Sequence, residues 1–210
     1  MKEYHKIETL YERSTEGDKR LIEGQYRDET VRFLANHVWQ FTEKIDGTNT
    51  RIHWDGHKVS FGGRTERAQI PAHLVAYLME TFGGDANEQL FEQKFGETEV
   101  TLYGEGYGPK IQKGGGLYRS DVSFILFDVL IGDIWLTRNS VEDIAQCFGV
   151  DAVPVLGEGT LQDGVDYVKT KPMSKIGTAP MEGLVARPVV ELKDRMGRRV
   201  IVKIKVKDFT

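Results

Sequence analysis

Apolar positions along this chain switch between a period of two and a period near four, which predicts short strands interleaved with short helices. Residues 1–26 are polar and irregular, and Tyr4, Ile7, Leu10 and Tyr11 suggest a docking segment within an arm of unreadable role. Asp28 is placed as an N-cap before Val31, Leu34, Ala35 and Val38 at helical spacing. The stretch 41–54 is extended, and with the run 58–61 it reads as a hairpin turning at Asp55-Gly56, which leaves Arg64 at a strand end. Pro71 opens a helix carrying Leu74, Tyr77, Leu78 and Phe82, and a second helix over 87–95 stops at Gly96. A strand over 98–103 delivers Glu105 to the edge of a glycine-rich loop, and 122–131 is a buried strand by composition. Ser140 with Asp143 marks a capping-box-like start for a helix ended by Gly149. A helix near 165–169, a strand over 183–186 and a last strand over 200–206 complete the pattern. Irregular alternation with short strand pairs predicts an α+β fold, not a doubly wound parallel sheet, in one domain spanning 1–210.

Composition narrows the class. The chain has 210 residues, 40% hydrophobic and 29% charged, the values of a soluble globular protein able to bury a core. Its longest apolar run, 122–131, is interrupted by Asp128 and is too short to span a membrane. The charged amino terminus lacks the apolar core of a signal peptide, and the single cysteine, Cys147, excludes an internal disulfide. A cytoplasmic location is expected. The formal charge of -4 argues against a broad basic surface, yet between residues 191 and 208 seven basic residues face three acids, so that end is locally basic.

Strand alternation in VIVKIKVKDF puts Lys203, Lys205 and Lys207 on one face and Val202, Ile204 and Val206 on the other. Aligned lysines repel one another unless solvent screens them or an anion lies over them. Protection of an exposed sheet edge is one explanation. A second comes from their company: Lys44 in FTEKIDGTN, strand-end Arg64, and the acids Glu105, Asp128 and Glu182, each inside or at the end of an apolar segment. The five histidines show no metal-ligand spacing, and Cys147 has no partner for a metal or redox role.

The set Lys44-Ile45-Asp46-Gly47, Glu105 in YGEGYGPKIQK, Phe127-Asp128 in FILFDVLIG, Glu182-Gly183 in MEGLVARP, and Lys203-Ile204-Lys205 resembles the ordered motifs of the covalent nucleotidyltransferases, the polynucleotide ligases and mRNA capping enzymes. The TEKIDGTN form, Arg64 twenty residues after the lysine, and the glycine-rich loop are most similar to the nick-sealing RNA ligase 2 branch. The resemblance covers about residues 40–207. It implies a nucleotidyltransferase domain, ATP-grasp-like, with twisted, mainly antiparallel sheets flanked by helices; where the family usually continues into an OB-fold or a helical domain, this sequence ends at Thr210, so no C-terminal OB-fold is expected. It also implies an ATP-dependent RNA ligase that forms a lysyl-AMP at Lys44, passes AMP to an RNA 5′-phosphate and seals it to a 3′-hydroxyl.

On that resemblance Lys203 and Lys205 hold the α-phosphate, and Asp46, Glu105 and Glu182 hold hydrated Mg²⁺ or Mn²⁺. Phe127 and Val185 take the two faces of adenine, Glu43 helps read the base edge, and Asn49, Arg64 and Glu105 fix ribose and phosphate. Lys110, Gln112 and Lys113 could touch RNA phosphates. The expected partners are RNA ends or a nicked duplex, with a separate nucleic-acid-binding domain or protein and no membrane. A DNA ligase, a guanylyltransferase and a non-catalytic RNA-end binder are the alternatives.

Overall fold

The segments of period two form strands because each has one apolar face to bury, and the helices cover those faces. The computed structural model describes residues 1–210. In chain order the elements are β1 (Glu8–Thr9), β2 (Tyr11–Arg13), β3 (Leu21–Tyr26), α1 (Glu29–Leu34), β4 (Trp39–Lys44), β5 (Thr48–Trp54), β6 (Val59–Gly63), α2 (Ala72–Phe82), α3 (Asp85–Phe95) and β7 (Val100–Tyr107). They continue with β8 (Ser123–Ile131), β9 (Ile134–Trp135), α4 (Arg138–Cys147), β10 (Asp151–Ala152), β11 (Val155–Gly159), α5 (Leu161–Lys169), β12 (Gly183–Pro188) and β13 (Val202–Lys205). The α+β class expected from the pattern is the one observed. No helix is long and apolar enough to cross a membrane.

Two compact units result, one of Met1–His5 with Asp46–Val153 and one of Lys6–Ile45 with Pro154–Thr210. The first holds a sheet of order β10-β8-β7-β5-β6, with β9 paired to β8. Its core joins Ile52, Trp54, Leu102, Phe124 and Leu126 of the sheet to Leu74, Leu78 and Phe82 of α2, Phe91 of α3 and Val141 and Ile144 of α4. The second holds a sheet of order β1-β13-β12-β4-β11 and the ribbon β2-β3. There Trp39, Phe41, Leu184, Ala186, Val202 and Ile204 pack against Leu161, Val165 and Val168 of α5.

Several local expectations are corrected. The arm is not irregular: residues 8–26 supply three strands, β1 runs parallel to β13, and buried Leu10 and Tyr11 complete the second unit's core. Segment 41–54 is not one extended run, because β4 and β5 belong to different sheets and Asp46-Gly47 lies where the chain changes sheet. β7 continues to Tyr107, so Glu105 sits inside a strand. Helix α4 begins at Arg138 with Thr137 as N-cap and no side-chain cap bond, while the capping box is found at Thr160 and Asp163 ahead of α5. Finally, β13 ends at Lys205, and Lys207 leaves the shared face in a 3-10 turn over Val206–Asp208. β13 lies between β1 and β12, so its lysines do not guard a sheet edge.

Candidate functional site

In the second unit the side chains of β4, β12 and β13 sort by face. Register pairs Gly183 with Lys44 and Lys205, and Val185 with Thr42 and Lys203. Cross-strand partners share a face, so Thr42, Lys44, Val185, Lys203 and Lys205 lie together. Phe41, Glu43, Leu184 and Ile204 lie on the opposite face, which is the core side. Glu182, immediately before β12, joins the lysine face: its Oε2 accepts from Lys44 Nζ at 2.7 Å, and its Oε1 pairs with Lys205 Nζ at 2.7 Å. The three side chains keep 24%, 15% and 18% of their surface for Lys44, Glu182 and Lys205, enough to be reached from solvent.

Two ammoniums, Lys44 and Lys205, meet one carboxylate here with Lys203 on the same face, and the excess positive charge suits a phosphate. Burial pushes the Glu182 carboxyl up, but Lys44 and Lys205, by charge and hydrogen bond, outweigh it and hold the pKa below the ordinary value. The Lys203 pKa is lowered, first by burial and then by the charges of Lys205 and Lys44. Gly183 permits this close pairing. A Cβ on it would lie 2.2 Å from the Ile204 carbonyl oxygen and 2.8 Å from Lys205 Cα.

Glu43 is placed differently from the other expected site residues. It is 1% exposed, and its carboxylate accepts from Ser174 Oγ and, at 2.9 Å, from the Lys175 N–H. The structure therefore does not bring Glu43 onto the face that carries Lys44.

The first unit assembles the remaining candidates. Gly47 is required because a Cβ there would stand 2.3 Å from the Gly106 carbonyl oxygen and 2.7 Å from Glu105 Cγ. Glu105 thus packs against the residue that follows Asp46. The Asp46 N–H donates to the Tyr118 hydroxyl at 3.3 Å, and Gln112 Nε2 donates to the Gly47 carbonyl at 2.9 Å. Asn49 faces Glu105 across β5 and β7, and its buried Oδ1 has no hydrogen-bond partner. Phe127 is half-buried and meets the Tyr4 ring edge-on, at 5.1 Å between centroids. Asp128 is fully buried and accepts from the Tyr4 hydroxyl at 2.8 Å. Arg64 is exposed just beyond β6, and Lys110 and Lys113 are exposed in the glycine-rich segment.

No three His, Cys, Asp or Glu side chains gather as a ready-made metal cage. Asp46 and Glu105, both oxygen donors beside Gly47, fit a hard ion that keeps most of its waters and takes one or two carboxylates. Sequence reasoning missed Ser174 and Tyr118, and it placed Tyr4 in a docking segment without finding its partner Asp128. Ser174 and Tyr118 stand in irregular segments with no periodic signal.

A family model described as RNA ligase matches residues 37–205. A sequence search of curated proteins finds no match. Among solved structures, a Naegleria gruberi RNA ligase with PPi superposes with a TM-score of 0.63 at 20% identity, over 95% of this chain and 59% of that one. A lysine-to-methionine mutant of that ligase with AMP and Mn gives 0.64 at 19%, over 95% and 59%. A lysine-to-alanine mutant with ATP and Mn gives 0.63 at 19%, over 97% and 61%. The chain therefore spans about three fifths of the length of these ligases, and the likeness concerns the fold.

Proposed function

The chain belongs to the RNA ligase family, and from that membership we propose that it is an ATP-dependent RNA ligase acting through a lysyl-AMP at Lys44. The observation that carries this reading is the bridge of Lys44, Glu182 and Lys205 on one sheet face, with Lys203 beside it. Such a set holds a lysine nucleophile in place and presents positive charge to a phosphate. The Naegleria structures carry ATP and Mn, AMP and Mn, or PPi, which are the species this scheme requires.

In the proposed step Lys44 Nζ attacks the α-phosphorus of ATP, an N–P bond forms, and the bond to the β-phosphate oxygen breaks to release pyrophosphate. The AMP then passes to an RNA 5′-phosphate, and a 3′-hydroxyl displaces it as the ends are sealed. Covalent catalysis of this kind divides one hard displacement into easier ones. Lys203 and Lys205, on the same face as Lys44, stabilise charge on the transition state. Glu182, with its pKa held down, is a weak base, so it orients Lys44 and does not deprotonate it.

By resemblance, Phe127 and Val185 would contact adenine, and Asn49, Arg64 and Glu105 would hold ribose and phosphate. The orphaned Asn49 Oδ1 supports this, since a ribose hydroxyl could donate to it. Asp46 and Glu105, with Glu182, would hold the hydrated Mg²⁺ or Mn²⁺. When bound, that ion supplies charge neutralisation for the phosphates. RNA ends or a nicked duplex are the proposed substrates.

The deciding test is incubation with α-labelled ATP and Mg²⁺, followed by denaturing electrophoresis of the parent and Lys44→Ala. A labelled band lost in the variant is expected. A parent stripped of bound AMP with pyrophosphate that then takes up no label would sink the proposal.

A further inference from the structure

Every side chain expected to meet nucleotide is at least partly open to solvent except one. Lys44, Asp46, Asn49, Arg64, Glu105, Phe127, Glu182, Val185, Lys203 and Lys205 are all half-buried or exposed. Glu43 is 1% exposed and lies on the core face of β4, opposite Lys44. A group that reads a ligand edge must offer surface in the ligand-free protein, and Glu43 offers almost none.

Its carboxylate is instead the anchor of a loop. The Ile176 N–H donates to Ser174 Oγ at 2.9 Å, so the single hydroxyl proton of Ser174 is directed to Glu43 Oε1. The Lys175 N–H donates to Glu43 Oε2 at 2.9 Å. Both oxygens of one buried carboxylate are thereby committed to two consecutive residues, 174 and 175, while the Ile176 N–H closes the turn on the Ser174 hydroxyl. That turn closes a small antiparallel hairpin: Ser174 N–H bonds the Ala179 carbonyl at 2.9 Å, Met181 N–H bonds the Pro172 carbonyl at 3.0 Å, and Met173 pairs with Pro180. The residue that follows this hairpin is Glu182.

We propose that Glu43 is a positioning residue: through Ser174 and Lys175 it fixes hairpin 172–181 and so sets Glu182 between the ammoniums of Lys44 and Lys205. Ser174 belongs to the same device. The chain of contacts runs from the buried carboxylate to the loop and then to the acid on the lysine face, so Glu43 acts on the reaction without touching adenine. This rests on the nucleotidyl-transfer reading of that face, and it replaces the expectation that Glu43 helps read the base edge.

Three variants test it: Glu43→Gln, which removes the charge and leaves one acceptor oxygen for two donors, Ser174→Ala, and the double variant. Ser174→Thr, which keeps the hydroxyl, serves as the conservative rescue. One readout is independent of catalysis. Amide hydrogen exchange over residues 174–181 is expected to accelerate in Glu43→Gln and Ser174→Ala and to return toward the parent in Ser174→Thr. The second readout is the rate of labelling with ATP and with purine riboside triphosphate, which lacks the 6-amino group.

Each single variant is expected to lose roughly ten- to hundredfold in kcat, as small misplacements of a reacting group do. The ratio of the two nucleotides should stay at the parent value, and the double variant should be no worse than the singles. Collapse of the ATP preference in Glu43→Gln alone would overturn the proposal in favour of base reading. Unchanged exchange over 174–181 would overturn it as well. A parent that never labels refutes the enzymatic reading, whereas the exchange experiment still judges the clamp.

Discussion

Gly183→Ala is a single-methyl perturbation that strikes the lysine face and the sheet together. The added Cβ would stand 2.2 Å from the Ile204 carbonyl oxygen, about 1 Å inside ordinary contact, and the obstacle is backbone that cannot swing aside. Relief requires β12 and β13 to part by a comparable amount. Overpacking of this kind costs about 1–3 kcal/mol. It also draws Lys205, register partner of Gly183, away from Glu182. At an effective dielectric near 20, their attraction falls from about 6 kcal/mol at 2.7 Å to about 4.5 kcal/mol at 3.7 Å. Together these terms predict a loss of about 3–4 kcal/mol, roughly a 10 °C fall in Tm for a chain of this size. Urea melts followed by tryptophan fluorescence and the self-labelling gel measure both consequences. Gly114→Ala, where nothing stands within 4 Å, is the control and should match the parent. Parent-like stability together with parent-like labelling in Gly183→Ala would refute the assignment of strand pairing as the source of the lysine geometry.

Two further outcomes follow from the charges and the orphaned acceptor. Glu182→Gln should destabilise the metal-free protein at neutral pH by about 1–3 kcal/mol, between the values for exposed and buried pairs. Because the folded pKa of Glu182 is lowered from 4.5, its contribution is present above that value and is lost as pH falls through the lower folded value. Urea melts of parent and variant should accordingly converge on acidification, and a gap that persists unchanged to strong acid refutes the assignment. Asn49→Ala removes a buried oxygen that bonds nothing, so stability should stay within about 0.5 kcal/mol. Its KM for ATP should rise about tenfold with kcat nearly kept, for a lost hydrogen bond of roughly 1.4 kcal/mol. An unchanged KM would remove Asn49 from the ribose contacts.

What the sequence made legible was whatever local chemistry alone decides. Asp28 caps α1 as its position suggested, accepting from the Thr30 and Val31 N–H groups, and the strand pair β5-β6 turns at Asp55-Gly56. The lysine face was legible too, because alternation in a strand sets the side of Lys203 and Lys205 without reference to anything distant. Glu43 and Lys44 were grouped in one motif, yet the structure puts them on opposite faces of β4. Adjacent residues in a strand face opposite ways, and a motif that groups them by sequence hides that they serve different sides of the sheet. The partner that explains a carboxylate on the buried side, Ser174, lies 131 residues away in a turn without periodicity. The arm was legible as a docking segment but not in its partners: Tyr4 finds Asp128, 124 residues on, and β1 forms only because β13 offers it a free side. A buried carboxylate nevertheless carries an obligation that needs no alignment to see, since it must find donors or forfeit its charge. Asking which donors Glu43 finds converts an inconvenient burial into a mechanical link between the strand of Lys44 and the acid that bonds it, Glu182.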